Sequence, residues 1–256
     1  MRKLAAAIAT VIAVALLTVT GADAAEINAL FTTAMKAAID EIMPQFERTS
    51  GHKVNIVYGP SGGLARQLKG GAAADLIMLA STELDELIKQ GDVAPGRTDV
   101  ARTAIGICVR KGAPRPNVST PAALKRALLA AKTVAHTAPA GGGITAAHVG
   151  GVFEKLGIAA EMAPKVRLAA GGPNGRVSVL VSSGEAEIGL QQVSELMTNP
   201  GVVVIGMLPA SLQQKTIYSA GVTKNAKQAD AAKALITYLA SPAAKRVYRT
   251  KGLNVR

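Results

Sequence analysis

The sequence predicts an α/β protein made of two lobes, each a mainly parallel sheet flanked by helices. Three observations carry this. Apolar strand-like runs alternate with amphipathic helical stretches to the end of the chain. Two extended apolar segments, 102–110 and 217–224, bracket a middle region with its own strand–helix series. Of the 256 residues, 49% are hydrophobic, enough for a sizeable core.

The first residues read as an export signal. Arg2 and Lys3 precede an apolar run from Leu4 to about Thr20, and Ala22 and Ala24 supply the small residues a signal peptidase requires. Cleavage is expected after Ala24, so residues 1–24 are set apart and a soluble periplasmic product is expected. The first lobe then begins. Glu26 to Phe31 reads as a strand, about Met35 to Thr49 as a helix, His52 to Tyr58 as a strand and Gly62 to Gly70 as a helix. Leu76 to Leu79 reads as a short buried strand and Thr82 to Gln90 as a helix.

Residues 102–110 read as one extended segment leaving that lobe. The middle region carries strands at Thr133 to His136, Lys165 to Ala169, Glu187 to Gln191 and Val202 to Ile205. Ile217 to Lys224 returns, and the helices Ala226 to Leu239 and Pro242 to Tyr248 pack back on the first lobe. The expected division is 25–108 with 217–256 for lobe one and 109–216 for lobe two.

Composition narrows the function. Aromatics are scarce, with no Trp, three Phe and four Tyr, which counts against sugar clefts and single-strand nucleic-acid readers built on stacked rings. The formal charge is +12, from 29 basic and 17 acidic residues, dispersed without a basic run. After export nucleic acid is not an expected partner, and such a field steers small anions toward the protein. Cys108 is the single cysteine, inside an apolar strand, and reads as a packed thiol. His52, His136 and His148 lack metal-ligand spacing, and the Asp40-Glu41 and Asp85-Glu86 pairs read as solvated helix faces. Neither a metal, a cofactor nor catalysis is expected.

Four strand-to-helix junctions share one composition: Thr32 to Met35, Gly59 to Gly63, Ala138 to Gly143, and Gly171 to Gly175. A helix start exposes unpaired N–H groups and a positive dipole end, glycine lets a ligand approach, and Ser, Thr or Asn adds a polar partner. Singly each is an ordinary cap. Two in each lobe, at the carboxyl ends of strands that face one another, make an anion cleft. No Walker pattern and no dinucleotide fingerprint accompanies the glycines.

Several stretches resemble periplasmic molybdate-binding proteins. These are Phe31 to Ile42, Ser61-Gly62-Gly63-Leu64-Ala65-Arg66-Gln67-Leu68, and Gly70 to Leu76 ending in Ala74-Asp75-Leu76. Pro139-Ala140-Gly141 with Glu154-Lys155-Leu156-Gly157, Glu185 to Leu190 and Ser241-Pro242-Ala243-Ala244 continue it in order. The resemblance implies a type-two periplasmic binding fold with two crossing strands. It also implies closure of the lobes on a small anion and delivery, as a monomer, to an inner-membrane ABC permease.

For the site, the resemblance implies contacts from Thr33, Met35, Ser61, Gly62, Ala140, Gly141, Asn174 and Gln192. Ser61 and Ala140 match the family. Met35 stands where the family has a ligand-binding serine, with Thr32 or Thr33 to compensate. Asn174 replaces a backbone donor position, and Gln192 stands for the pocket tyrosine. Lys36, Arg66 and Arg176 are the nearby cations. A tetrahedral oxyanion of the molybdate or tungstate type is the favoured ligand. A small organic anion such as a carboxylate, or a ligand-sensing role, is the alternative, because Asn and Gln bring acceptors that a deprotonated oxyanion does not use.

Overall fold

The computed structural model describes residues 24–139, 144–170 and 176–253; the expected signal peptide lies outside them. The first lobe opens with β1 (Glu26–Thr32), a 3-10 turn (Thr33–Met35) and α1 (Lys36–Ser50). It continues through β2 (Lys53–Gly59), α2 (Ser61–Lys69), β3 (Leu76–Ala80), α3 (Ser81–Gln90) and β4 (Thr98–Thr103). The second lobe holds β5 (Ile105–Arg110), α4 (Pro121–Ala130), β6 (Val134–Thr137), α5 (Ile144–Lys155), α6 (Ala159–Met162) and β7 (Val166–Ala169). α7 (Val177–Ser183), β8 (Ile188–Gln192), α8 (Val193–Leu196) and β9 (Val202–Met207) complete it. β10 (Thr216–Val222), α9 (Ala229–Leu239) and α10 (Pro242–Thr250) return to the first.

The sheets run β2-β1-β3-β10-β4 and β7-β6-β8-β5-β9. In each, the first three strands are parallel and the last two join through antiparallel pairing, so β10 and β5 alone run against the other four and each sheet is mixed but mainly parallel in direction. Those two strands lie on the segments that cross between lobes. The boundary expected at 108 falls inside β5, whereas strand pairing puts all of β5 in the second sheet. The chain therefore changes sheets at Ala104 on the way out and over 208–215 on the way back.

Strand alternation explains how each sheet is covered. Ile27, Ala29 and Phe31 of β1 and Leu76 and Met78 of β3 pack with α1, α9 and α10 on one face. Leu30, Ile77 and Leu79 point to the other, against Leu64 of α2 and Leu84 and Leu87 of α3. The second sheet repeats this, with Ile105, Ile107 and Val109 on one face and Cys108 on the other beside Val177 and Val181. Burial pushes the Cys108 thiol up to about 12, so it stays an inert core group as expected. Gly189 of β8 permits the close approach of α7: a Cβ there would lie 2.7 Å from Val177 Cγ1 and 2.9 Å from Cys108 Sγ.

Candidate ligand cleft

Parallel pairing aligns the carboxyl ends of β1, β2 and β3, since Thr32 sits opposite Gly59 and β3 ends at Ala80. In the second sheet Thr137, Ala169 and Gln192 end β6, β7 and β8 along one edge. These two edges meet. A pocket of about 210 Å³ is lined by Thr33, Ala34, Lys36, Ala37 and Asp40 from the first lobe and by Arg176, Ser194, Glu195 and Thr198 from the second. Ligands of open α/β sheets bind at such edges.

On the first-lobe side, α2 starts directly after Pro60 with no side-chain cap and no acidic residue in its first turn. Its leading N–H groups, Gly62 among them, are thus not claimed by a side chain. Ser61 is buried, and its Oγ accepts the Ala80 N–H at 3.1 Å. With its lone pair so used, the hydroxyl proton is free to donate. Thr33 lines the pocket.

Met35 is where packing corrects the sequence reading. It is fully buried in the first-lobe core with Ile39 and Phe31 rather than presented to the cleft. The one-turn 3-10 segment rotates its side chain inward and leaves the threonines at the junction. Lys36, in the pocket lining, pairs with Asp40 of the same lining at 2.6 Å and lies 4.5 Å from the centre of the Tyr58 ring. Arg66 is exposed on α2. Ala140, Gly141 and Asn174 lie outside the described residues.

On the second-lobe side the polar chemistry is unusual. Gln192 is buried, with Nε2 donating to Thr216 Oγ1 at 3.3 Å. Among the described residues, four buried side-chain atoms have no partner: Ser178 Oγ, Gln191 Oε1, Gln192 Oε1 and Ser194 Oγ. They sit on α7, β8 and α8, and of the four residues Ser194 lines the pocket while Ser178, Gln191 and Gln192 lie behind it. An unpaired buried polar group costs about 1–3 kcal/mol, so this end of β8 with its flanking helices is the polar part of the second-lobe core.

Sequence reading missed Glu195 and Tyr218. Glu195 is half-buried in the pocket wall, and burial raises its carboxyl to about 7 while the Arg176 guanidinium and the Gln191 amide pull it down. Tyr218, on the return strand opposite Ala80, is held far above its ordinary value by burial, with Glu195 and Glu83 adding. The three histidines have structural partners. His52 Nδ1 meets the Ala25 N–H at 3.1 Å, His136 Nδ1 the Thr137 carbonyl at 2.9 Å, and His148 Nε2 the Leu212 carbonyl at 2.7 Å. Among the described residues no cluster of three metal-ligating side chains occurs, and no helix is long and apolar enough to cross a membrane. Larger hollows of about 710 and 770 Å³ flank the second lobe beside Met207 and Arg110, but none of the unpartnered groups lines them.

Residues 27–254 match the family model described as bacterial extracellular solute-binding protein. The chain belongs to that family. Among curated relatives, the aconitate isomerase of Pseudomonas sp is 31% identical over 233 residues, covering 89% of this chain and 87% of the relative. The molybdate-binding protein ModA of Azotobacter vinelandii is 28% identical over 240 residues, 92% of each chain, so the likeness to molybdate-binding proteins read from the sequence spans nearly the whole molecule. The structure of the Azotobacter vinelandii periplasmic molybdate-binding protein superposes with a TM-score of 0.73 at 18% identity. It covers 90% of this chain and 99% of that one, which places this solute-binding protein in the same two-lobed fold.

Proposed function

We propose that this solute-binding protein is the periplasmic receptor of an ABC importer for a small organic anion that carries its own O–H or N–H. The observation that carries this is the pair of buried, unpartnered acceptors Gln191 Oε1 and Gln192 Oε1 at the carboxyl end of β8, next in the chain to the Ser194 and Glu195 that line the pocket. A fully deprotonated tetrahedral oxyanion offers only acceptors, and two amide oxygens would repel it. In this reading a hydroxy or amino carboxylate places its carboxylate on the Ser61 hydroxyl and the opening N–H groups of α2, and its own donor on an amide oxygen at the end of β8. The molybdate-type ligand favoured by whole-chain likeness becomes the alternative. In this reading the receptor is exported by a cleaved signal and works as a monomer with an inner-membrane permease. Its positive charge draws anions in.

The test is a thermal-shift panel of molybdate, tungstate, sulfate, thiosulfate, phosphate, malate, citrate and aconitate. A ligand at about a hundred times its Kd adds roughly 2.7 kcal/mol to the folded state, a shift of some degrees in Tm. Response to a hydroxy acid with silence toward molybdate supports the proposal; a response confined to molybdate and tungstate overturns it.

One observation favours a second reading, that the cleft also converts its anion. Glu195 titrates near neutrality inside the pocket, as a group that both takes and returns a proton must, and a 31% identical relative carries the name aconitate isomerase. Proton NMR of aconitate held with the protein in deuterated water decides this. Unchanged signals after many hours would leave binding alone.

A further inference from the structure

Glu195 occupies an odd position for an anion receptor. It lies in the wall of the pocket between the lobes, across from Thr33, one residue after the unpartnered Ser194 hydroxyl. A ligand bridging the lobes must come to rest beside it. The charges facing it do little to cancel a second negative charge. From α1, Lys36 is already paired with Asp40 at 2.6 Å. Arg176, at the start of α7, faces it and turns one NH1 toward Thr198 Oγ1 at 3.4 Å. From β8 comes the neutral Gln191 amide, and from β10 the un-ionised Tyr218. β5 offers only the un-ionised Cys108 and Arg110 at its far end, and β9 carries no titratable side chain. One guanidinium cannot neutralise both a carboxylate and an arriving anion in a closing, water-poor cleft.

We infer that Glu195 contacts the ligand as an un-ionised carboxyl, donating its O–H to the anion, so that each anion bound above neutrality brings one proton into the cleft. This rests on the reading of the interlobe cleft as an anion site. It assigns a further donor to the second-lobe wall, on the residue next to Ser194. The proton comes from solvent, ends on a Glu195 carboxyl oxygen and returns to solvent when the anion leaves. The carboxyl already sits close to neutrality before any ligand arrives, so little work is needed to complete its protonation.

Isothermal titration with malate and with molybdate, both fully ionised from about pH 6.5 to about pH 8.5, tests the inference. For whichever binds, affinity should fall about tenfold per pH unit above about pH 7.5. The heat measured in buffers of different ionisation enthalpy should report uptake of one proton. Glu195→Gln, which keeps a donor but cannot ionise, should make the affinity independent of pH. A pH-independent affinity in the parent overturns the inference alone. A slope that persists in Glu195→Gln overturns it too, because the proton then sits elsewhere. Failure of both probes and of every panel anion to bind overturns the receptor reading, and this inference with it.

Discussion

Gln213 reads Ile105 as a neighbouring strand would: Ile105 N–H donates to Gln213 Oε1 at 2.9 Å, and Gln213 Nε2 donates to the Ile105 carbonyl at 3.0 Å. Ile105 is the first residue of β5 after the chain leaves the first sheet, and Gln213 lies on the segment that returns. A single side chain therefore ties the two crossings together where the chain passes between the sheets. Nε2 also reaches the Leu208 carbonyl at 3.3 Å. Gln213→Ala leaves the Ile105 N–H and carbonyl without this partner. It should lower stability by about 2 kcal/mol in urea unfolding. Gln213→Glu, which keeps the acceptor but loses the donor, should fall between. Equal stability of all three would mean water replaces the amide there.

Ser61 opens α2 on a buried side chain. Its Oγ accepts from Ala80, so the N-terminal ends of α2 and α3 are joined and the hydroxyl proton is directed away from that bond. Ser61→Ala should weaken anion binding at least tenfold, or about 1.4 kcal/mol, measured by titration with whichever panel anion binds. Unchanged affinity would place the ligand elsewhere along the sheet edge.

Met35 carries the opposite expectation. The position is fully buried, so Met35→Ser both removes a core side chain and buries a hydroxyl. The loss should reach about 3 kcal/mol or more by denaturant unfolding, with no gain in molybdate affinity. Improved molybdate binding at near-parental stability would show that the 3-10 turn repacks to present the new hydroxyl.

Asp75 is a motif residue whose work is structural. Its carboxylate accepts the Asn28 N–H at 2.9 Å, the Lys227 N–H at 2.7 Å and the Gln228 N–H at 2.9 Å. It thereby joins β1 to the entry of α9 on a buried side chain. Asp75→Ala should cost about 3 kcal/mol or more, because three donors lose a charged acceptor, while ligand affinity in the folded fraction stays the same. A loss of affinity without loss of stability would bring Asp75 into the cleft.

What was legible follows from what is local. The alternation in β1 and β3 announced a sheet covered on both faces, and the strand–helix order announced the lobes. The break at Ala104 was hidden because β5 follows β4 in one extended segment with no turn residue between them, and only pairing with β10 and with β8 shows that they belong to different sheets. The orientation of Met35 depends on a single 3-10 turn, whose sense no periodicity reports. Glu195 was missed because Val193-Ser194-Glu195-Leu196 reads as any short helix start, and only the meeting of the lobes puts its carboxyl in the cleft.

Two titrating groups, the half-buried Glu195 and the buried His136, give the stability opposite pH slopes. Glu195 in the folded protein sits at about 7 against an ordinary 4.5, so between those values the native state holds more protons than the unfolded chain. Its favourable share is complete below about pH 4.5 and is lost as the pH rises through about 7. Burial lowers His136 from 6.5, so the unfolded chain takes up a proton that the native state refuses, and stability falls as the pH drops below about 6.5. Glu195→Gln should therefore raise Tm relative to the parent at about pH 8, with the difference closing toward about pH 4.5. His136→Phe, beside the Phe153 ring, should flatten the acid limb instead. Tm followed across that range separates the two. A Glu195→Gln profile parallel to the parent's would mean that water reaches the carboxylate freely and the pocket wall is open in the unliganded protein.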